Sequence, residues 1–420
     1  MESFHSIDSC RICGNTELVS VLHLGEQSLT GVFPRHRTDR LTRGPLELVK
    51  CHGDAGCCGL VQLRHSYSSS ELYGDNYGYR SSLNRSMVNH LGAKVNALRA
   101  RTSLEDDDVV LDIGSNDGTT LSFYPASLTR VGMDPTAARF RDLYQPGIHV
   151  VPDFFSAARF SSELGDRRAK VVTSIAMFYD LERPLEFVEQ VASVLDDQGI
   201  WHFEQSYMPR MLSQNAYDTI CHEHLEYYGL RQVQWMIERA GLRILDVELN
   251  DVNGGSFAVT AARAGSSLQS NEESISHVLR AEEKAGVDTL APFQRFAERV
   301  FEHREHLVSL LGRLRSDGSL VLGYGASTKG NVILQFCGIT IDQLPFIAEV
   351  NEDKFGCFTP GTGIPIISEA EAHEMKPDYF LVMPWHFRDN LLQREQDFLG
   401  RGGRMIFPLP SIQVVDSPGE

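Results

Sequence analysis

The chain has 420 residues, more than one compact core accommodates, so two or three domains are expected. Its formal net charge of −17 argues against bulk attraction to nucleic acid or an anionic membrane, while leaving room for a small anionic ligand held by local cations. A hydrophobic fraction of 42% with 23% charged residues describes a globular chain, and no apolar run approaches the ~20 residues needed to span a bilayer. The first ten residues, MESFHSIDSC, do not read as a signal peptide, so a cytoplasmic location is expected.

Five of the eight cysteines lie in the first 58 residues. Cys10-Arg-Ile-Cys13-Gly14 has the spacing of a zinc knuckle. Two thiolates separated by two residues can grip one ion, and glycine permits the tight turn that aims amide N–H groups at sulfur. The second half is less regular: Cys51, then the adjacent Cys57 and Cys58. The expected ligands are Cys10, Cys13, Cys51 and Cys58, with Cys57 and His52 as rivals. Four protein ligands leave no open position, so the zinc is expected to be structural. The surrounding runs LVSVLHLG, GPLELVK and GLVQL read as short strands.

From Leu83 to about Arg101 the pattern changes to helical spacing, with Met87, Leu91, Val95 and Leu98 on one face. VVLDIGSNDG then reads as a buried strand entering a Gly-rich loop, and strand-like runs alternate with helical ones as far as SFAVTAA. That alternation predicts a parallel, doubly wound sheet. Residues 264–315 read as polar helix, and a second strand, Gly-rich turn and helix begin at SLVLGYGASTKGNVILQF.

The first Gly-rich loop carries Gly114, Asn116 and Gly118, with Asp112 before it and Asp117 inside it. Carboxylates there repel a pyrophosphate and suit S-adenosylmethionine, which carries an ammonium and a sulfonium. Asp134 ends the next strand, where an acid accepts hydrogen bonds from ribose hydroxyls, and Phe154 is a candidate for lining the adenine.

The densest polar run is Tyr217-Asp-Thr-Ile-Cys-His-Glu-His-Leu-Glu-Tyr-Tyr228. His222 and His224 are two apart, a spacing that points side chains to different faces and disfavours a metal site. Acid–base chemistry fits better, since histidine titrates near neutrality and an adjacent carboxylate tunes it. Asn253-Gly-Gly-Ser256 forms a tight turn beside a strand and permits close approach to a ligand. In the second Gly-rich turn Thr328 stands where a dinucleotide fingerprint wants glycine, and Ser327, Lys329 and Asn331 are candidates for holding a pyrophosphate.

Taken together, these residues resemble the S-adenosylmethionine-dependent sugar C-methyltransferases that act on C3 of nucleotide-linked 4-keto deoxysugars. The resemblance runs through CRICG, CCGLVQL, YGYRSS, LDIGSNDGTTL, YDTICHEHLEYY, NGGSFAV, GYGASTKGN, EVNEDKFGCFTPGTGIPI and GGRMIFPLP, in order along the whole chain. It implies an α/β fold in three parts: a zinc-binding domain at 1–66, a Rossmann-like methyltransferase domain at 67–263, and a Rossmann-like substrate-binding domain at 264–420. It also implies that His224 is the general base, that Glu223 assists it, and that the nucleotide-sugar lies between the first and last domains, with His222 and Asn253 among its contacts. The family's tyrosine before the His-Glu-His run is Cys221 here, and Tyr228, Tyr227 and Tyr179 are candidates to replace it. Asn253 replaces a family histidine, and SIAMFYDLE departs from the usual acidic-histidine run.

A C–H bond beside a ketone is acidic enough for a histidine to remove its proton, whereas an unactivated sugar carbon is not. The substrate is therefore expected to carry a ketone next to the methylated carbon, with Tyr77 or Tyr79 as donor to the enolate oxygen. Methylation on oxygen or nitrogen, and a silent nucleotide-sugar-binding module, are the competing expectations. No nucleic acid or membrane partner is expected, and the protein is expected to be a monomer or homodimer.

Overall fold

The computed structural model describes residues 4–53, 56–72 and 80–416. The first part of the chain forms β1 (Phe4–Ser6), β2 (Leu18–Ser28), β3 (Arg43–Cys51), β4 (Val61–Leu63) and β5 (His65–Tyr67). The middle forms β6 (Val109–Ile113), β7 (Thr129–Met133), β8 (Ile148–Val151), β9 (Ala169–Ile175), β10 (Leu195–Ser206), β11 (Glu226–Tyr227), β12 (Leu242–Asn250) and β13 (Ser256–Arg263). The last part forms β14 (Val321–Tyr324), β15 (Ile347–Glu349), β16 (Ile366–Ser368), β17 (Tyr379–Val382), β18 (Arg404–Phe407) and β19 (Gln413–Val415).

The central sheet runs β12-β13-β10-β9-β6-β7-β8. Strands β10, β9, β6, β7 and β8 are parallel neighbours, whereas β13 is antiparallel to both β10 and β12. The sheet is thus not parallel throughout, as the alternation predicts. The tight turn at Asn253–Gly255 is too short for the crossover a parallel pair needs, so β12 and β13 close as a hairpin. Trp201, Phe203 and Phe178 pack their rings beside this sheet.

The expected amphipathic helix runs Arg85–Arg101, capped by the Asn84 side chain, and buries Met87, Leu91, Val95 and Leu98. The polar stretch after residue 264 is two helices, Glu272–Ala285 and Ala291–Ser316. Gly286 breaks them apart in a left-handed conformation, and Pro292 starts the second. The first packs on the central sheet: Glu282 accepts from the Leu230 and Arg231 amides and from the Tyr207 hydroxyl.

The C-terminal sheet runs β16-β15-β14-β17-β18-β19, parallel except for the β18–β19 pair. The N-terminal sheet runs β11-β4-β3-β2. Its edge strand β11 comes from far along the chain, and the Leu63 amide reaches the Leu225 carbonyl at 2.8 Å. The segment carrying His224 is therefore built into the sheet of the cysteine-bearing part. Among the described residues no helix is long and apolar enough to cross a membrane.

Candidate active site and metal centre

The Sγ atoms of Cys10, Cys13, Cys51 and Cys58 all lie within 4.8 Å of one another. Cys10 and Cys58 are 3.4 Å apart, and Cys13 and Cys51 are 3.5 Å apart. Ligands at the usual Zn–S length around a tetrahedral ion lie about 3.8 Å apart, so the cluster fits. Four clustered thiols cannot all ionise alone. Hydrogen bonds from Cys10 and Cys58 pull the Cys51 thiol far down, and the Cys58 thiol is driven far up by Cys10, Cys13 and Cys51. A divalent cation would let all four carry charge. Cys57, the sequence rival, points its thiol to the Gly53 carbonyl at 3.6 Å instead.

A cavity of about 250 Å³ opens at the carboxyl ends of β6, β7 and β9, where ligands of such sheets bind. Asp112, Gly114, Asn116, Asp134 and Phe154 all line it, with Met133, Met177 and Phe187. Gly114 has a φ of +73°, and a Cβ there would stand 3.0 Å from the Met177 side chain. Asp134 Oδ2 accepts from the Asn116 amide at 2.8 Å, and its Oδ1 accepts from the Thr136 amide at 2.6 Å. This ties the two loops together and leaves lone pairs for a ligand hydroxyl. Burial pushes the Asp112 carboxyl up to about 7, even though Thr173 donates to it at 2.6 Å. A cation beside it would restore its charge, which is what an ammonium-bearing ligand offers. Phe154 is 54% exposed at the cavity edge. Gly118 does not line the cavity; its φ of +76° brings it against Tyr144, whose ring would lie 2.6 Å from an added Cβ.

The His-Glu-His run separates in space. His222 is buried edge-on against Tyr67, with ring centroids 4.6 Å apart. Glu223 is partly exposed and turns towards the N-terminal part, where Thr30 Oγ1 donates to it at 3.4 Å. Gly31 makes room for it, since a Cβ there would sit 2.3 Å from Glu223 Oε1. His224 is partly exposed and tilted against the Tyr179 ring, 4.3 Å between centroids. Its Nδ1 pairs with the Thr219 carbonyl at 2.9 Å. A carbonyl only accepts, so Nδ1 carries the proton and Nε2 is left as a base. Burial, then the charge of Lys329, pushes the His224 pKa down to about 4 and keeps the ring neutral.

Ser327 caps the helix Thr328–Cys337 by accepting from the Gly330 amide at 3.0 Å. Lys329, in the first turn, donates to the Asn253 carbonyl at 2.7 Å. Asn253 adopts φ +54°, which presents that carbonyl. Burial pulls the Lys329 pKa down, while the charge of Asp218 raises it. Asn331 is buried and donates to the Thr30 carbonyl at 2.7 Å, bracing the C-terminal part against the N-terminal one instead of facing a ligand. Tyr227 and Tyr228 are buried, Tyr228 stacked on Phe178. Tyr77 and Tyr79 lie outside the described residues.

Sequence reasoning missed Asp218, Trp385 and His386. The charge of Asp218 acts on Lys329, and its carboxylate accepts from the Trp385 indole at 2.7 Å. His386 has its Nδ1 buried without a hydrogen-bond partner among the described residues, and burial plus the Lys329 charge drives its pKa well below the ordinary value. The available signal was position, since Trp385 and His386 follow the carboxyl end of β17.

Residues 251–410 match the family of C-methyltransferase C-terminal domains, residues 10–73 a zinc binding domain, and residues 85–247 a methyltransferase domain. The chain is 31% identical to C-methyltransferase NovU of Streptomyces niveus, over 98% of this chain and 97% of that one. The chain belongs to the C-methyltransferase family. It is an S-adenosylmethionine-dependent C-methyltransferase with a zinc-binding N-terminal part, and its central part has the Rossmann-like methyltransferase fold. Solved structures similar to that part include mitomycin 7-O-methyltransferase MmcR, at 14% identity and TM-score 0.34 over 43% of this chain and 55% of that one. Another is plantazolicin methyltransferase BpumL in complex with SAH, at 11% identity and TM-score 0.34 over 41% and 82%.

Proposed function

We propose that this enzyme methylates the carbon beside the ketone of a nucleotide-linked keto-deoxysugar, with His224 as the general base. It would act in the reducing cytoplasm, where thiolates stay available to zinc. The division into zinc-binding (1–66), methyltransferase (67–263) and substrate-binding (264–420) domains belongs to the same proposal. The observation that carries the reading is His224 itself: a neutral imidazole with Nδ1 fixed by the Thr219 carbonyl, Nε2 without a hydrogen-bond partner among the described residues, and the Lys329 charge acting on the ring.

When bound, S-adenosylmethionine supplies an electrophilic methyl group on a sulfonium. Asp112, Gly114, Asn116, Asp134 and Phe154 would hold it at the cavity they line. The chain's own part is positioning and proton transfer. His224 Nε2 takes the proton from the carbon beside the ketone. Proximity of Lys329 favours an electron-rich enolate nearby. Lys329 and Ser327, at a helix start, suit the negative charge of a pyrophosphate. Tyr77 or Tyr79 is assigned from the sequence as donor to the enolate oxygen.

The test is incubation with methyl-labelled S-adenosylmethionine and a panel of 4-keto nucleotide-sugars, with NMR to locate the label. Label on the carbon next to the ketone is expected, and label on oxygen would overturn the reading. His224→Ala is expected to lower kcat by about 10²–10⁴-fold while keeping S-adenosylhomocysteine binding. Full turnover by that variant would remove the base assignment.

A further inference from the structure

One of the two residues between Cys10 and Cys13, Arg11, does more than space them. Arg11 is nearly fully buried, and every part of its polar head points at one place in the fold. Its Nη1 donates to the Leu63 carbonyl at 2.6 Å, its Nη2 to Ser66 Oγ at 2.9 Å, and its backbone amide to Gln62 Oε1 at 3.1 Å. Its Nε lies 3.7 Å from Glu226 Oε1, and the side-chain exposures of the two residues are 3% and 0%. Gln62 and Leu63 belong to β4, the strand against which β11 pairs, with Gln62 opposite Glu226. Leu63 donates to the carbonyl of Leu225, the residue directly after His224.

The second half of the cysteine cluster grips the same stretch further on. The Cys58 carbonyl accepts from Gln232 Nε2 at 3.1 Å, and Gln232 Oε1 in turn accepts from the Gly229 amide at 3.0 Å. Residues 225–232 are thus held at one end through Arg11 and β4, and at the other through Cys58 and Gln232. His224 sits at the entrance to this clamped stretch.

We infer that Arg11 is a positioning residue for His224, through which the zinc centre fixes the strand that follows the catalytic base. The two-stranded pairing of β11 is only two residues long and, among the described residues, has no strand on its other side. So short an edge holds its register only if its neighbour is itself immobilised. Arg11 supplies that immobilisation, because Cys10 and Cys13 on either side of it would hold one zinc ion together with Cys51 and Cys58. The role assigned to His224 rests on the proposed function; the clamp on its strand does not.

The experiment is hydrogen–deuterium exchange, read by mass spectrometry, on the zinc-loaded full chain carrying Arg11→Met. Zinc content is checked by release to a colorimetric chelator. The expected result is unchanged zinc content, exchange in a peptide covering 222–229 faster by about tenfold or more, and unchanged exchange across β6 and β7. Turnover should fall in kcat with KM for S-adenosylmethionine unmoved, and Arg11→Lys, which keeps one donor, should recover part of both signals. Wild-type protection of 222–229 in the zinc-loaded variant would overturn the inference, and so would loosening that spreads equally to β6 and β7. Should Arg11→Met fail to fold, zinc is stripped from the wild-type chain with a chelator. Opening of 222–229 ahead of β6 and β7 is then the supporting result, and its continued protection the refuting one. Since these readouts follow the strand and not the reaction, a catalytically competent His224→Ala would sink the base assignment and leave the clamp standing.

Discussion

Glu204 offers the sharpest energetic test. Its carboxylate is buried at the carboxyl end of β10, where Oε1 meets His90 Nε2 at 2.5 Å and Oε2 meets Lys94 Nζ at 3.2 Å and Asn250 Nδ2 at 2.8 Å. His90 and Lys94 lie on the helix Arg85–Arg101, whose Met87 and Leu91 line the cavity proposed for the cofactor. Asn250 ends β12 and leads into the turn that presents the Asn253 carbonyl to Lys329. Glu204 thus ties the helix that lines this cavity to the turn that meets Lys329. Burial alone would raise its pKa; the His90 hydrogen bond and the Lys94 charge outweigh burial and bring it down to about 2. Against an ordinary value of 4.5, that difference corresponds to about 3 kcal/mol of stability at neutral pH. Glu204→Gln keeps the shape and removes the charge, so it should cost about that much. For a domain of this size the melting temperature should fall by about 6–12 °C. The sign with pH follows from the lowered pKa. The contribution is complete above 4.5 and fades as the pH falls towards 2, so the gap between wild type and variant should close on acidification. Urea unfolding at pH 7, 5, 4 and 3 measures the gap, and titration with S-adenosylhomocysteine should show about tenfold weaker binding. A gap under about 1 kcal/mol at pH 7, or one that persists unchanged at pH 3, would refute the assignment of Glu204 as a charged hub.

The two adjacent cysteines separate the metal ligand from its neighbour. Cys58→Ser should lose most bound zinc and destabilise the N-terminal part, whereas Cys57→Ser should retain one zinc per chain, both read by metal analysis. Gly31→Ala places a Cβ 2.3 Å from Glu223 Oε1 and should push that carboxylate out of its place. Turnover should drop by about tenfold or more while zinc content and S-adenosylhomocysteine affinity hold; wild-type turnover would show that Glu223 need not sit against the N-terminal part.

Local chemistry was legible in the sequence where one short segment carries it. The knuckle at Cys10 and Cys13, the cavity loop at Gly114 and Asn116, and the acid at the end of β7 each lie in a pattern whose geometry is set within about ten residues. Legibility fails where distant strands decide which way a side chain turns. His222, Glu223 and His224 are consecutive, yet they part towards Tyr67, Thr30 and Tyr179. What sorts them is the pairing of β11 with β4, formed by residues more than 150 positions earlier in the chain. Asn331 shows the same limit: in the sequence it belongs to a Gly-rich loop facing a ligand, but the N-terminal part comes back over it and claims its amide at Thr30. Glu204 carries no motif at all, because its three partners come from a helix before it and a strand after it. In each case the undecided property is the destination of a side chain between parts of the fold. Residues that join one part of the chain to another take their partners from far along the sequence, so they are the ones a linear reading misassigns.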